Sequence, residues 1–274
     1  MNRSPAIAGK AWLELPHSSG NKKYTLTAYD GNLRNYSYNY DVNTFSSLWV
    51  AYPLYSATTG GTRDGSWKSN SSISVNEQIN IWKSSYGVNV GKTSSEGYDD
   101  KVNYYSRGHQ IPDADRSGDA EMQAQTYYAT NSTPQIQNGF NGGIWSSLED
   151  AVRTVASATD TVYVATGPTF QKKGGSESIV WITPKNDSKQ CPVPNYYWKV
   201  LLKVKRDGSK AVTSASAIGF WFEHKVYSGD SYTNYAVSVD QIEQWTGFDF
   251  FVNLPDSVEA AAEANTNWTT FQNF

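Results

Sequence analysis

The sequence predicts an α+β fold built on one mostly antiparallel central sheet, and three observations carry that prediction. Bulky and polar residues alternate on either side of Asp30-Gly31-Asn32, the pattern of a tight hairpin. One later stretch, 144–158, switches to helical spacing through Ile144, Leu148, Val152 and Val155. Short apolar runs then resume, so strands outnumber helices and a few helices are interspersed among them.

Taken in order, Tyr24 to Tyr29 and Leu33 to Tyr40 are the hairpin strands. Leu48 to Tyr52 is a continuous apolar run stopped by Pro53, as expected of a strand buried on both faces. A Gly/Ser/Thr-rich loop follows from Ser56 to Ser72. After the 144–158 helix, Thr161 to Ala165 reads as a strand halted at Gly167-Pro168. Further strand candidates are Ile179 to Ile182, Tyr196 to Val204 and Ala217 to Phe222. Ser238-Val239-Asp240-Gln241 is a capping box opening a short helix that Gly247 closes. Phe248 to Val252 is expected to be a last strand, and Val258 to Asn265 a terminal helix. With no internal repeat and no linker, 1–274 is expected to be a single domain, its first ~20 residues loosely attached.

Composition excludes several classes. Aromatic content of 14%, with 10 Trp and 19 Tyr, is far from that of a disordered chain. No stretch approaches the ~20 apolar residues of a membrane helix. The single Cys191 rules out an internal disulfide and any zinc site of several thiolates. A net charge of −3 gives no basic field announcing a polyanion partner. Met1 to Ile7 contains no apolar signal core, yet the abundance of Asn, Ser, Thr, Tyr and Trp suits an exported protein. The expectation is a secreted, periplasmic or cell-surface protein trimmed of its signal, with a cytosolic protein of unusual surface as the alternative.

Only three histidines occur, and they differ in context. His17 falls in a loop-like Leu-Pro-His-Ser-Ser, and His224, between Glu223 and Lys225, reads as a surface residue. His109 lies in Tyr105-Ser106-Arg107-Gly108-His109-Gln110, where an arginine, a turn-permitting glycine and a histidine end an aromatic run. Histidine can accept a proton near neutrality. Asn141, just ahead of the helix, can offer a neutral amide oxygen to a hard cation. Glu149 lies about two helical turns further on and can orient water from an outer shell. Arg153, one more turn along, is spaced to pair with Glu149 and face phosphate. Taken singly these residues are bland: Glu149 and Arg153 a solvated helix pair, Asn131 and Asn141 turn residues, Arg63 an exposed loop arginine, Trp145 core.

Together and in this order they resemble the non-specific DNA/RNA endonucleases of the ββα-metal, or His-Me finger, class. The resemblance rests on Ser106-Arg107-Gly108-His109, Asn131-Ser132-Thr133-Pro134-Gln135, Phe140-Asn141-Gly142-Gly143-Ile144-Trp145 and Leu148-Glu149-Asp150 with Arg153. Thr62-Arg63 before Trp67-Lys68, Thr166-Gly167-Pro168, Tyr197 to Val200 and Val239 to Glu243 with Thr246-Gly247 extend it over roughly 25–260. It implies a ββα-metal motif within about 100–160 and hydrolysis of DNA and RNA to 5′-phosphate products. The implied cofactor is Mg²⁺, with Mn²⁺ or another divalent cation able to substitute. It further implies His109 as general base, Asn141 as the sole direct metal ligand and Glu149 as holder of a metal-bound water. Arg63, Arg107 and Arg153 would neutralise charge, and Asn131 and Gly108 would support the site. One position departs from the family: Ser106 stands where it has Asp. Two competing readings are a carbohydrate-binding β-rich module, suggested by the aromatic content, and a catalytically inactive nuclease fold kept for binding.

Overall fold

A computed structural model describes residues 12–18, 24–158 and 161–274. In chain order the strands are β1 His17–Ser18, β2 Tyr24–Asp30, β3 Leu33–Asp41, β4 Ser46–Leu54, β5 Tyr105–His109, β6 Ser132–Ile136, β7 Val162–Thr169, β8 Trp181–Ile182, β9 Cys191–Pro192, β10 Tyr196–Arg206, β11 Val212–Glu223, β12 Ala236–Val237 and β13 Phe248–Asp249. The α-helices are α1 Ala120–Thr126, α2 Ser146–Ala158, α3 Val239–Thr246, α4 Asp256–Glu263 and α5 Trp268–Gln272. Seven strands form one antiparallel sheet in the order β12-β11-β10-β7-β4-β3-β2. This is the α+β architecture the sequence predicts.

Strand alternation sends side chains to two different cores. On one face Tyr52, Val164, Tyr197 and Phe220 meet Phe140, Trp145, Leu148 and Val152 from the β5–β6–α2 unit. On the other, Trp49, Ala165, Trp198 and Val200 meet Leu13, Ile242, Phe250 and Ala262. Full burial of a side chain such as Leu148 or Val152 contributes roughly 1.5–3 kcal/mol, enough to fix α2 on the sheet. Leu13 and Leu15 are buried and β1 pairs with β13, so residues 12–18 of the N-terminal segment are packed. The rest of that segment lies outside the described residues.

The hairpin forms as expected, with Asp30 opposite Leu33 and Gly31 at φ +52°. Half of the capping box forms: Ser238 Oγ accepts from Gln241 N at 3.1 Å while the Gln241 side chain turns to Gln244, and Gly247 closes α3 in the left-handed region. Several boundaries differ from expectation. β4 runs through Pro53 to Leu54, because its pairing with β3 ends at Ala51 and leaves an edge where proline is tolerated. β7 likewise passes through Gly167-Pro168, where only β10 still flanks it. A Cβ at Gly167 would lie 2.3 Å from Leu48 O, so the glycine permits that approach. The expected last strand shrinks to the two residues of β13, since Phe251 takes φ +53° and ends the extended run. α2 begins after Ile144 and Trp145, which belong to an irregular turn with non-helical Gly142 and Gly143. α4 starts and ends two residues earlier than its apolar spacing suggests. Neither α1 nor α5 was expected.

Candidate active site

β5 and β6 pair antiparallel, setting Ser106 opposite Gln135 and His109 opposite Ser132. The chain then enters the Gln137–Trp145 turn and α2, which completes a ββα unit. The glycine in the middle of β5 is required by contact. A Cβ at Gly108 would sit 2.2 Å from the Gln135 side chain.

His109 is buried, with its ring 4.7 Å from that of Trp67 and edge-on to Tyr127 at 5.0 Å. Burial lowers its pKa to about 4; Asp113 opposes that shift, and Arg63 and Arg107 add to it. The ring is therefore neutral at pH 7. Nε2 is enclosed without a hydrogen-bond partner, which leaves Nδ1 as the nitrogen a reactant can approach. Around it, Arg63 Nε pairs with Asp113 Oδ2 at 2.9 Å and donates to Tyr127 Oη at 3.2 Å. Tyr127 Oη donates to the same carboxylate oxygen at 2.9 Å. With Nε pinned, the far end of the Arg63 side chain, 70% exposed, faces solvent. Arg107 donates from Nη1 to Ile81 O at 3.0 Å and lies 5.2 Å from the Trp67 ring.

Asn141 is held by its nitrogen. Nδ2 donates to Ser106 Oγ at 3.1 Å and to Gln137 Oε1 at 3.2 Å, so the amide oxygen is the end left for a ligand. Ser106 Oγ in turn donates to Gln135 O at 3.1 Å. Ser106 and Gln137 together thus fix which way Asn141 points.

Glu149 and Arg153 do not form the pair their spacing suggests. Arg153 instead reaches Asp115 Oδ1 at 2.7 Å with Nη1 and Asp150 with Nη2. Asp115 wins because it is buried and projects from the 3₁₀ turn Asp113–Arg116 that packs beside α2, and Tyr52 Oη donates to its other oxygen at 2.7 Å. Arg153 is thereby committed to holding α2 against that turn. Half-buried Glu149 is left free of any ion pair among the described residues. Burial raises its pKa, opposed by the positive Lys199. Lys199 is buried on β10 beneath α2, its Nζ 4.8 Å from the Trp145 ring and without a hydrogen-bond partner.

Asn131 is nearly inaccessible and fully used. Its Nδ2 donates to Ile111 O and Thr126 O, and its Oδ1 accepts from Ile111 N. It braces the chain just after His109 and cannot reach a substrate. His224 is a correction too. Its Nδ1 hydrogen-bonds Pro194 O at 2.8 Å and Nε2 accepts from Ile136 N at 2.8 Å, so it is a neutral structural residue tying β6 to the sheet. His17 sits in β1 rather than in a loop. Trp145 is core, as expected.

Asp113, Asp115, Tyr127 and Lys199 were not foreseen. The two aspartates, in Ile111-Pro112-Asp113-Ala114-Asp115 directly after His109, carried a usable signal. Tyr127 and Lys199 reach the site only through tertiary packing and carried none.

Three comparisons bear on this geometry. The family profile for DNA/RNA non-specific endonuclease matches residues 17–257. A nuclease of Serratia marcescens is 29% identical over 232 residues, 84% of this chain and 77% of that one. A nuclease of Nostoc sp. is 26% identical over 268 residues, 96% and 88% of the two chains. In a crystal structure of the EndoG/EndoGI complex, one chain superposes with a TM-score of 0.61 at 20% identity, covering 87% of this chain and 91% of that one, which shows a shared fold. With the profile spanning most of the chain and a histidine-bearing ββα unit at its centre, this protein belongs to the DNA/RNA non-specific endonuclease family.

Proposed function

We propose that this nuclease hydrolyses phosphodiester bonds of both DNA and RNA in a divalent-metal-dependent reaction, leaving 5′-phosphate ends, with His109 as general base. The observation that carries the reading is His109 itself: a neutral imidazole with Nδ1 approachable, set beside two arginines that each keep part of their guanidinium free. Nδ1 accepts a proton from the attacking water. Arg63 and Arg107 bind and orient the phosphodiester, and Asp113 and Tyr127 hold Arg63 in place.

The residues fit a hard cation. Asn141 has its nitrogen pinned and its oxygen left over, and Glu149 is a carboxylate outside any ion pair, so the donors are all oxygens. Asn141 would hold an ion of the Mg²⁺ type, and Glu149 would orient water beside it. When bound, that ion supplies Lewis acidity toward the phosphate. Ser106 positions Asn141, and Arg153 positions α2 and hence Glu149. The exported composition supports action outside the cytoplasm, which fractionation of the native host would test.

The decisive experiment incubates supercoiled plasmid and a long RNA with the protein, with and without Mg²⁺, beside His109→Ala. Cleavage of both substrates that needs the metal and drops about 10²–10⁴-fold in the variant is the expected result. No cleavage under any condition would leave an inactive nuclease fold kept for binding.

A further inference from the structure

The sheet face opposite the ββα unit carries a cluster of carboxylates that the nuclease chemistry does not use. Asp240 and Glu243 lie one turn apart on α3, and Glu263 is the last residue of α4. One carboxylate oxygen from each lies within 4.8 Å of the others. Both helices are anchored there by core contacts, Ile242 and Ala262 being buried. The three acids are therefore held together by the fold rather than meeting by chance on a loop.

Two features single this cluster out from an ordinary acidic surface. Glu263 is only 6% exposed, and its Oε1 is buried without any hydrogen-bond partner. Glu263 also sits at the C-terminal end of its helix, where the dipole already disfavours negative charge. The charged groups that act on it most are four further carboxylates, Glu243, Glu259, Asp240 and Asp249. Glu243 accepts from Phe250 N at 2.7 Å through Oε1, which leaves its other oxygen for a ligand. A buried, unpartnered carboxylate oxygen grouped with two further carboxylates is a donor set that a cation would satisfy.

We propose that Asp240, Glu243 and Glu263 form a structural cation site taking one divalent ion of the calcium type, which ties α3 to α4. All-oxygen carboxylate donors match a hard ion. Donor atoms within 4.8 Å of one another fit a shell with Ca–O distances of roughly 2.3–2.6 Å, water filling the remaining positions. The site is independent of nuclease activity, so it stands or falls on binding and melting measurements alone.

The test uses the full chain freed of metal with EDTA, as wild type, Asn141→Ala, Glu263→Gln and Asp240→Asn. Terbium is the probe, excited through Trp245, two residues from Glu243. The expected result is a calcium-displaceable terbium signal that survives Asn141→Ala and weakens at least ~10-fold in Glu263→Gln. Calcium at about a hundred times its dissociation constant should raise the wild-type Tm by about 5 °C or more. Glu263→Gln should melt above wild type in EDTA and gain nothing from calcium. If it fails to fold, Asp240→Asn, altered on the more exposed side, provides the same comparison. Melting indifferent to calcium in wild type would overturn the proposal in favour of carboxylates that share protons. A terbium signal lost only in Asn141→Ala would also overturn it, because the ion would then belong to the nuclease site.

Discussion

Acid should destabilise this protein through the burial of His109. Burial against Trp67 and Tyr127 takes its pKa from 6.5 to about 4. At about 1.4 kcal/mol for each tenfold change in protonation, that drop amounts to about 3 kcal/mol. The sign follows from which form the fold prefers. A base whose folded pKa is depressed is favoured neutral, so its contribution is complete above 6.5 and is lost as pH falls from 6.5 toward 4. Urea denaturation of wild type and His109→Gln at pH 7 and pH 4.5 isolates the effect from carboxylates common to both. Wild type should lose about 2–3 kcal/mol more than the variant across that interval. Glu149, its carboxyl raised by burial, sets any limb of kcat/KM near neutrality on plasmid DNA, and the limb that His109 contributes should lie well below 6.5. In Asp113→Asn it should move lower still, because Asp113 favours the imidazolium. Equal pH dependence of stability in wild type and His109→Gln would refute the burial argument.

Other perturbations follow from specific contacts. Ser106→Ala removes one of the two acceptors for Asn141 Nδ2 and should raise the Mg²⁺ concentration for half-maximal activity several-fold with little change in stability; Ser106→Asp, which keeps an acceptor there, should not. Activity appearing only in Ser106→Asp would mean that the natural sequence is inert. Gly108→Ala places a Cβ 2.2 Å from Gln135 and should destabilise by about 1–3 kcal/mol in urea, as overpacking does. Lys199→Met removes the buried cation that opposes the raised Glu149 pKa, so the pH at which acid begins to reduce activity should move up; an unchanged acid limb would refute its role.

The sheet was legible wherever a strand had to alternate or run apolar, and turn chemistry marked its punctuation. Pro53 and Gly167-Pro168 misled because proline reads as a stop unless the strand is known to lose a neighbour at that point, and pairing is a tertiary fact. α1 escaped notice because it is short and largely polar, its start set by Asp119, which caps Glu121 N and Met122 N. α5 spans only five residues and is held by the burial of Trp268 and Phe271.

The order of the candidate site's residues was legible and their wiring less so. The order of His109, Asn141 and Glu149 could be read from the chain because a ββα unit is nearly contiguous, and local order there becomes local geometry. What failed was the assumption that helical spacing decides pairing. On an isolated helix an i,i+4 pair is worth only a few tenths of a kcal/mol. Asp115, buried and already accepting from Tyr52, offers Arg153 a far less screened partner, so tertiary structure takes the guanidinium away from Glu149. That exchange has a consequence for the chemistry. Among the described residues Glu149 keeps its carboxylate out of any ion pair, and Lys199 and Arg153 favour its charge only at a distance. A direct bond to Arg153 would have tied up the carboxylate that the proposed mechanism uses to orient water. The arginine that looked like part of the reacting centre serves it better by standing outside, bound to the turn that also carries Asp113 and thereby Arg63.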